Sequence, residues 1–200
     1  MATSGGSGAS GSSGNGSTAR LSTTSTNTLG HLDPVMSAGP LGPEAIPIPQ
    51  SPPLVSTSSK PGGQTVDGIQ CNSGEQTLFH VHTHLTIFVN GSARQVAYGI
   101  GIPRAQVSQS AQGPFVGSGS CFYSLHTHAA DGIIHIESPV QRAYTLGDFF
   151  DIWGQPLGPG RVGPVHGKVT AFYNGACTGA IPATSRSGAT PRSNSTSGVR

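Results

Sequence analysis

The chain has 200 residues, with 10 Lys and Arg against 8 Asp and Glu, a formal net charge of +2 and only 9% charged side chains. That length suits one domain of ordinary size. The near-neutral balance carries no electrostatic footprint for nucleic acid, and no apolar run approaches the roughly twenty residues of a membrane-spanning helix.

The first thirty residues are mostly Ser, Gly and Thr, and prolines recur from Pro34 onward, as in "GPLGPEAIPIPQSPPL". Such a stretch has too little to bury to offset its ordering entropy. Residues 1–65 are therefore expected to be a disordered linker, stiffer in its proline-rich half. Met1 is not followed by a signal-peptide pattern. A Ser/Gly leader before a compact domain is nevertheless how many exported or surface-tethered bacterial proteins begin after their signal. An extracytoplasmic location (periplasmic, secreted or surface-tethered) is expected on that ground.

The foldable part is residues 66–175, a histidine-rich α+β domain holding five Lys/Arg and six Asp/Glu. Its first strand is expected in "FHVHTHLTIFVNG". Alternation places Val81, Thr83, Leu85, Ile87 and Val89 on one face, and His80, His82, His84, Thr86 and Phe88 on the other. Asn90-Gly91 is a hairpin turn signal. Gly113 to Gly119 reads as a Gly/Ser loop, and "SCFYSLHTH" as a second strand. "DGIIHIES" opens on a turn and continues as a third, with Ile134 and Ile136 on one side and Ile133, His135 and Glu137 on the other.

The period then changes. Leu146, Phe149, Phe150 and Trp153 fall at i, i+3, i+4 and i+7, the stripe of an amphipathic helix. Thr145 suits its N-cap, Asp148 its first turn and Gly154 its C-terminus. "GKVTAFYNG" is a last strand and turn. Beyond it, residues 176–200 show no periodicity and are expected to be a disordered tail or the product of a shifted reading frame.

Six of the eight histidines lie between His80 and His135. They come as H-x-H-x-H (His80, His82, His84), H-x-H (His126, His128) and a single His135. Side chains at i and i+2 of a strand share a face, roughly 6–7 Å apart at the backbone. Two imidazoles there can converge on one ion, and a third can come from a neighbouring strand. Imidazole-rich sets suit zinc, copper, nickel or iron, and copper or zinc is the expected ion. His82, His84, His126 and His128 are the foremost candidate ligands, with His80 and His135 next. Glu137 and Asp131 are candidates for the acceptors that fix imidazole tautomers. The competing reading is a polar network without metal, its histidines bonded to each other, to Thr83, to Thr127 and to the backbone.

Cys71 and Cys121 each stand just before a histidine-bearing segment. A disulfide between them would close a loop of about fifty residues, contribute roughly 3–4 kcal/mol, and imply an oxidising compartment.

The segments "HVHTHLTIFVNG", "LHTHAADGIIHIE" and "TLGDFFDIWG" resemble those of a family of uncharacterised bacterial and archaeal proteins predicted to be exported. The resemblance spans Val66 to Gly175 and implies a C-terminal part ending in a further strand. It brings no activity with it. Cupins and carbonic-anhydrase-like zinc sites also place H-x-H on a strand. The spacing after His128 does not fit the cupin motif, whose second motif is absent, and the rest of the carbonic-anhydrase pattern is missing, so the likeness is one of site geometry.

The expected fold is a small α+β domain, a mostly antiparallel sheet with one short packed helix, β-grasp-like, with a β-sandwich as the alternative. Three functions are compatible with it: an extracytoplasmic metal-binding module, a metal-dependent hydrolase- or lyase-like enzyme with Glu137 or Asp131 as general base, and a metal-free surface interaction domain.

Overall fold

The computed structural model describes residues 39–55 and 61–174, together with the backbone of 176–179 and 195–199. The elements run β1 (Cys71–Asn72), β2 (Phe79–Val89), β3 (Ser92–Arg94), β4 (Gln106–Ser110), β5 (Gly113–Ser118), β6 (Phe122–Tyr123), β7 (Leu125–His126) and β8 (Ile133–Ser138), then α1 (Leu146–Trp153). β9 (Leu157–Gly158), β10 (Arg161–Val162), β11 (Val165–His166), β12 (Ala171–Tyr173), β13 (Ala176–Gly179) and β14 (Ser195–Val199) follow. As the sequence implied, the described residues form mostly antiparallel strands with a single short helix.

β2 is the spine of the main sheet, whose strand order is β13-β12-β14-β2-β8-β7. β8 runs antiparallel to its first half, and β3 folds back on its far end. The turn between β2 and β3 uses left-handed Asn90 (φ 52°) and Gly91 (φ 81°), the conformation that a two-residue hairpin requires. The alternation in β2 has its expected effect. Leu85 and Ile87 are buried and pack, with Ile134 of β8, in one core cluster with Phe149, Phe150, Ile152 and Trp153 of α1. Burying each such side chain contributes roughly 1.5–3 kcal/mol. The opposite face of β2 is left to the histidines.

Helix α1 starts and stops where local chemistry dictates. Thr145 Oγ1 accepts from Asp148 N at 3.0 Å while the Asp148 carboxylate accepts from Thr145 N at 2.7 Å, a reciprocal capping box. Gly154 closes the other end at φ 68°. Thr145→Ala is expected to cost about 1 kcal/mol, measured as a lower urea midpoint at unchanged slope.

Three segments differ from the expectation. Gly113 to Gly119 is not a loop over its whole length, because β5 pairs with β4 as a hairpin. β4 is exposed throughout and β5 buries only Val116, so hydrophobic alternation could not reveal it. The single strand expected in "SCFYSLHTH" is broken into β6 and β7, and His128 lies beyond both. Here the backbone of Thr127 bonds to Gly99 and Ile100, and His128 O accepts from Val116 N at 3.0 Å, so the chain turns toward a loop and β5. The Thr127 hydroxyl donates to Ala97 O and accepts from Ile100 N, so it serves this loop. Gly101 permits the approach: at φ 74° a Cβ there would overlap the carbonyl oxygen of Leu125.

The third difference is the proline-rich segment. Expected as part of a linker, residues 39–55 pack on the domain. Leu54 joins the main core, and its backbone exchanges hydrogen bonds with the Gln95 region. A turn bonded between Gly42, Ala45 and Ile46 holds Glu44 inward. Prolines pre-set extended backbone at little further entropic cost, and Ile48 and Leu54 supply the burial. The rest of 1–65 lies outside the described residues, apart from 61–65. In the tail, the backbone of 195–199 lies parallel to β2 and that of 176–179 pairs with β12. The other tail residues lie outside the described set.

Candidate metal centre

The site follows from strand phase and register. His80 and His82 share a face of β2, and His135 and Glu137 share a face of β8. Register sets His82 opposite His135 and His80 opposite Glu137. β7 then places His126 opposite His135 from the other side. The result is a row of imidazoles across three adjacent strands, with His135 in the middle. Ring centroids lie 4.3 Å from His135 for His82, 4.4 Å for His128 and 5.3 Å for His126.

Among the described residues, three sets of ligand atoms lie within 4.8 Å of one another: His80, His82 and His135; His126, His128 and His135; and Glu75, His126 and Glu137. The buried histidine clusters could hold a metal ion. The Nε2 atoms of His80 and His82 are 2.8 Å apart. Two nitrogens bound to one ion at 2.0–2.1 Å come about 3 Å apart when cis, so this pair already stands near a chelating separation.

Backbone carbonyls fix the tautomers on the β7 side. His126 Nδ1–H donates to Tyr123 O at 2.8 Å, and His128 Nδ1–H donates to Val116 O. Each Nε2 lone pair therefore faces the cluster, the orientation a metal requires. His126 Nε2, His135 Nδ1, Glu137 Oε2, Asp131 Oδ2 and Glu44 Oε2 are buried without hydrogen-bond partners. Such atoms are costly to leave unpaired, and a cation would satisfy several at once.

Four carboxylates surround the rings. Glu137, 3% exposed, sets Oε1 at 3.1 Å from His80 Nε2 and 3.5 Å from His135 Nδ1, and Oε2 at 3.9 Å from His126 Nε2. Glu44 Oε1 lies 2.6 Å from His135 Nε2, and Glu75 Oε1 3.5 Å from His128 Nε2. Asp131 accepts from Ile133 N at 3.0 Å, and nearby Glu44 adds to the burial that raises its carboxyl.

Burial, then the neighbouring His128, pushes His126 down to about 3. Burial followed by His128, His82 and His80 pushes His135 down to about 3 as well. His82 is lowered chiefly by burial and His80. Burial raises Asp131 to about 6, and raises Glu137 with help from Glu75. His82, His126 and His135 are thus held toward the neutral imidazole, the form that ligates metal.

These shifts set the acid stability of the metal-free protein. As pH falls below 6.5, the unfolded chain protonates His126 and His135 while the folded one does not until about 3, so stability falls across that window. Asp131 and Asp151, raised to about 6 in the folded state, act oppositely below that pH. The imidazole displacement is the larger, so the net expectation is a lower urea midpoint at pH 4.5 than at pH 7 in EDTA. An unchanged or higher midpoint would contradict it.

Of the sequence candidates, the structure brings together His80, His82, His126, His128, His135 and Glu137. It sets His84 apart. His84 Nε2 bonds to Asp131 O at 2.8 Å and its Nδ1 to the Thr86 hydroxyl at 3.3 Å, so both nitrogens serve the scaffold. Register is the cause: His84 lies opposite Ile133, one pair beyond the histidine row. Gly132 closes over it, where a Cβ would come 3.0 Å from His84 Nε2. Asp131 serves His84 through its backbone carbonyl and its own turn through Oδ1, which accepts from Ile133 N.

Glu44 and Glu75 escaped sequence reasoning. Nothing local marks Glu44, which reaches His135 across 91 residues. Glu75 had an indirect signal. It follows Cys71, and the Cys71–Cys121 disulfide, with Cα atoms 5.4 Å apart, ties its segment to the start of the β6–β7 region.

Comparison with known protein families, with curated protein sequences and with solved structures returned no match.

Proposed function

We propose that this domain is an extracytoplasmic transition-metal-binding module that takes copper or zinc through strand imidazoles. The observation that carries the reading is the convergence of four histidines on a fifth, His135, with the buried His126 Nε2 and His135 Nδ1 left without hydrogen-bond partners. All-nitrogen donors joined by carboxylate suit copper and zinc. The resemblance to exported proteins and the Cys71–Cys121 disulfide support a location outside the cytoplasm, where such bonds persist. Among the described residues, no helix is long and apolar enough to cross a membrane.

A metal-dependent hydrolase or lyase is the second reading. It is favoured by one observation, the raised, buried carboxyl of Glu137 beside the histidine trio, as a general base would be placed. Turnover of an ester or a hydratable substrate by the loaded protein, abolished in Glu137→Gln, would favour it over simple binding.

The test is metal content by mass spectrometry of the full chain, purified without a histidine tag. A variant with His80→Ala and His82→Ala, both at exposed positions, runs beside it. Near-stoichiometric copper or zinc in the first, lost from the second, is the expected result. A folded chain that takes up neither metal overturns the reading and leaves a surface domain with a polar histidine network.

A further inference from the structure

We infer that the centre holds two metal ions bridged by the carboxylate of Glu137; this rests on the metal-binding reading and extends it. Two of the three converging sets, His80/His82/His135 and Glu75/His126/Glu137, have no residue in common. His82 and His126 stand on opposite sides of β8, on strands about 9–10 Å apart at the backbone. Four to six ligand positions on a single ion cannot use five imidazoles and two carboxylates spread across that width.

Glu137 sits on the intervening strand and divides its oxygens between the two sets. Oε1 faces His80 and His135 at 3.1 and 3.5 Å, and Oε2 faces His126 at 3.9 Å. A carboxylate with one oxygen turned to each side is the arrangement that bridges paired ions, which lie about 3.5–4 Å apart. The second ion would draw on His126 and His128, both presenting Nε2, and on Glu75, whose Oε1 is 3.5 Å from His128. Glu137 Oε2 and His126 Nε2 are buried and unpartnered on that side.

Carboxylates stand on both sides: Glu44 at His135, Glu75 at His128, and Glu137 between the two sets. The ligand class is a pair of divalent transition-metal ions, with one imidazole-rich position and one of mixed imidazole and carboxylate.

The test is titration of the full chain, stripped of metal, with Cu(II). Native mass spectrometry counts ions and electron paramagnetic resonance reports their coupling. Cys177→Ser is used throughout so that the third cysteine offers no alternative ligand. Saturation at two ions per chain is expected, falling to one in His82→Ala and to one in the Glu75→Gln, His128→Ala double variant. The doubly loaded chain should give an integrated signal well below two spins, while each single-ion variant should give a full, isolated one. Saturation at one ion in a folded chain overturns the pair and leaves the metal-binding reading standing; no binding at all removes both. Two ions with independent, full-intensity signals overturn the bridge. Loss of the second ion in His166→Ala, an exposed histidine outside the cluster, would overturn the second site.

Discussion

Replacing His135 by alanine is expected to lower metal affinity by roughly a hundredfold or more, beyond any other single imidazole of the site. Structural zinc sites bind with about 10–16 kcal/mol over four ligands, so one ligand accounts for about 3 kcal/mol. His135 belongs to both all-histidine trios, and its ring packs between those of His82 and His126. His84→Ala, on the same strand face as His80 and His82, is expected to change affinity by no more than about threefold. Both of its nitrogens are already engaged by the scaffold. Competition against a chelator of known affinity measures both variants, with Trp153 fluorescence confirming that each is folded. Equal losses in the two would contradict the assignment of His135 as the centre.

Breaking the Cys71–Cys121 disulfide is the second large effect. The cysteines are 50 residues apart in sequence. Closing a loop of that length restricts the unfolded chain by about 4 kcal/mol in the chain-entropy account. For a domain of this size that corresponds to a fall in Tm of roughly 10–20 °C. The bridge also sets β1 against β6, with Cys71 opposite Tyr123 and Asn72 opposite Phe122, and Glu75 follows directly. Its loss should therefore weaken Cu(II) binding at the His126/His128 side more than at the His80/His82 side. Scanning calorimetry of the metal-free chain with and without a phosphine reductant measures the first effect. The Cys71→Ser, Cys121→Ser double variant controls for the reductant. Equal Tm values would contradict the structural role assigned to the bridge.

What could be read from the sequence was whatever depends on local periodicity. Alternation alone put His80 and His82 opposite Leu85 and Ile87, and put His135 and Glu137 opposite Ile134. The Thr145 cap, the Phe149/Phe150/Trp153 stripe and Gly154 bounded α1 correctly, because a helix this short is defined by its ends. Strand phase, however, cannot supply register. His84 has the right phase and the wrong partner, whereas His135, a lone histidine in its strand, becomes central because β2 and β7 both pair with β8 at that level. Glu44 was invisible for a different reason. Its position depends on contacts made by Ile48 and Leu54 within a proline-rich stretch whose composition suggests a linker. The β4–β5 hairpin was missed because its polar residues face water and leave no pattern.

The two-sided acid surroundings also bear on which metal is retained. Glu137 would bring one oxygen to each side and Glu75 a further one to the His126 side, while the His80/His82/His135 set itself offers only nitrogen. Copper is expected to favour the imidazole-rich position, and zinc to tolerate both.

The most direct measurement is X-ray absorption at the metal edge of the full chain loaded with one equivalent of zinc. The account predicts nitrogen and oxygen scatterers near 2.0–2.1 Å with the multiple-scattering pattern of at least two imidazoles, diminished in His135→Ala. A sulfur shell near 2.3 Å, or an imidazole pattern that survives in His135→Ala, would place the metal elsewhere and contradict the account.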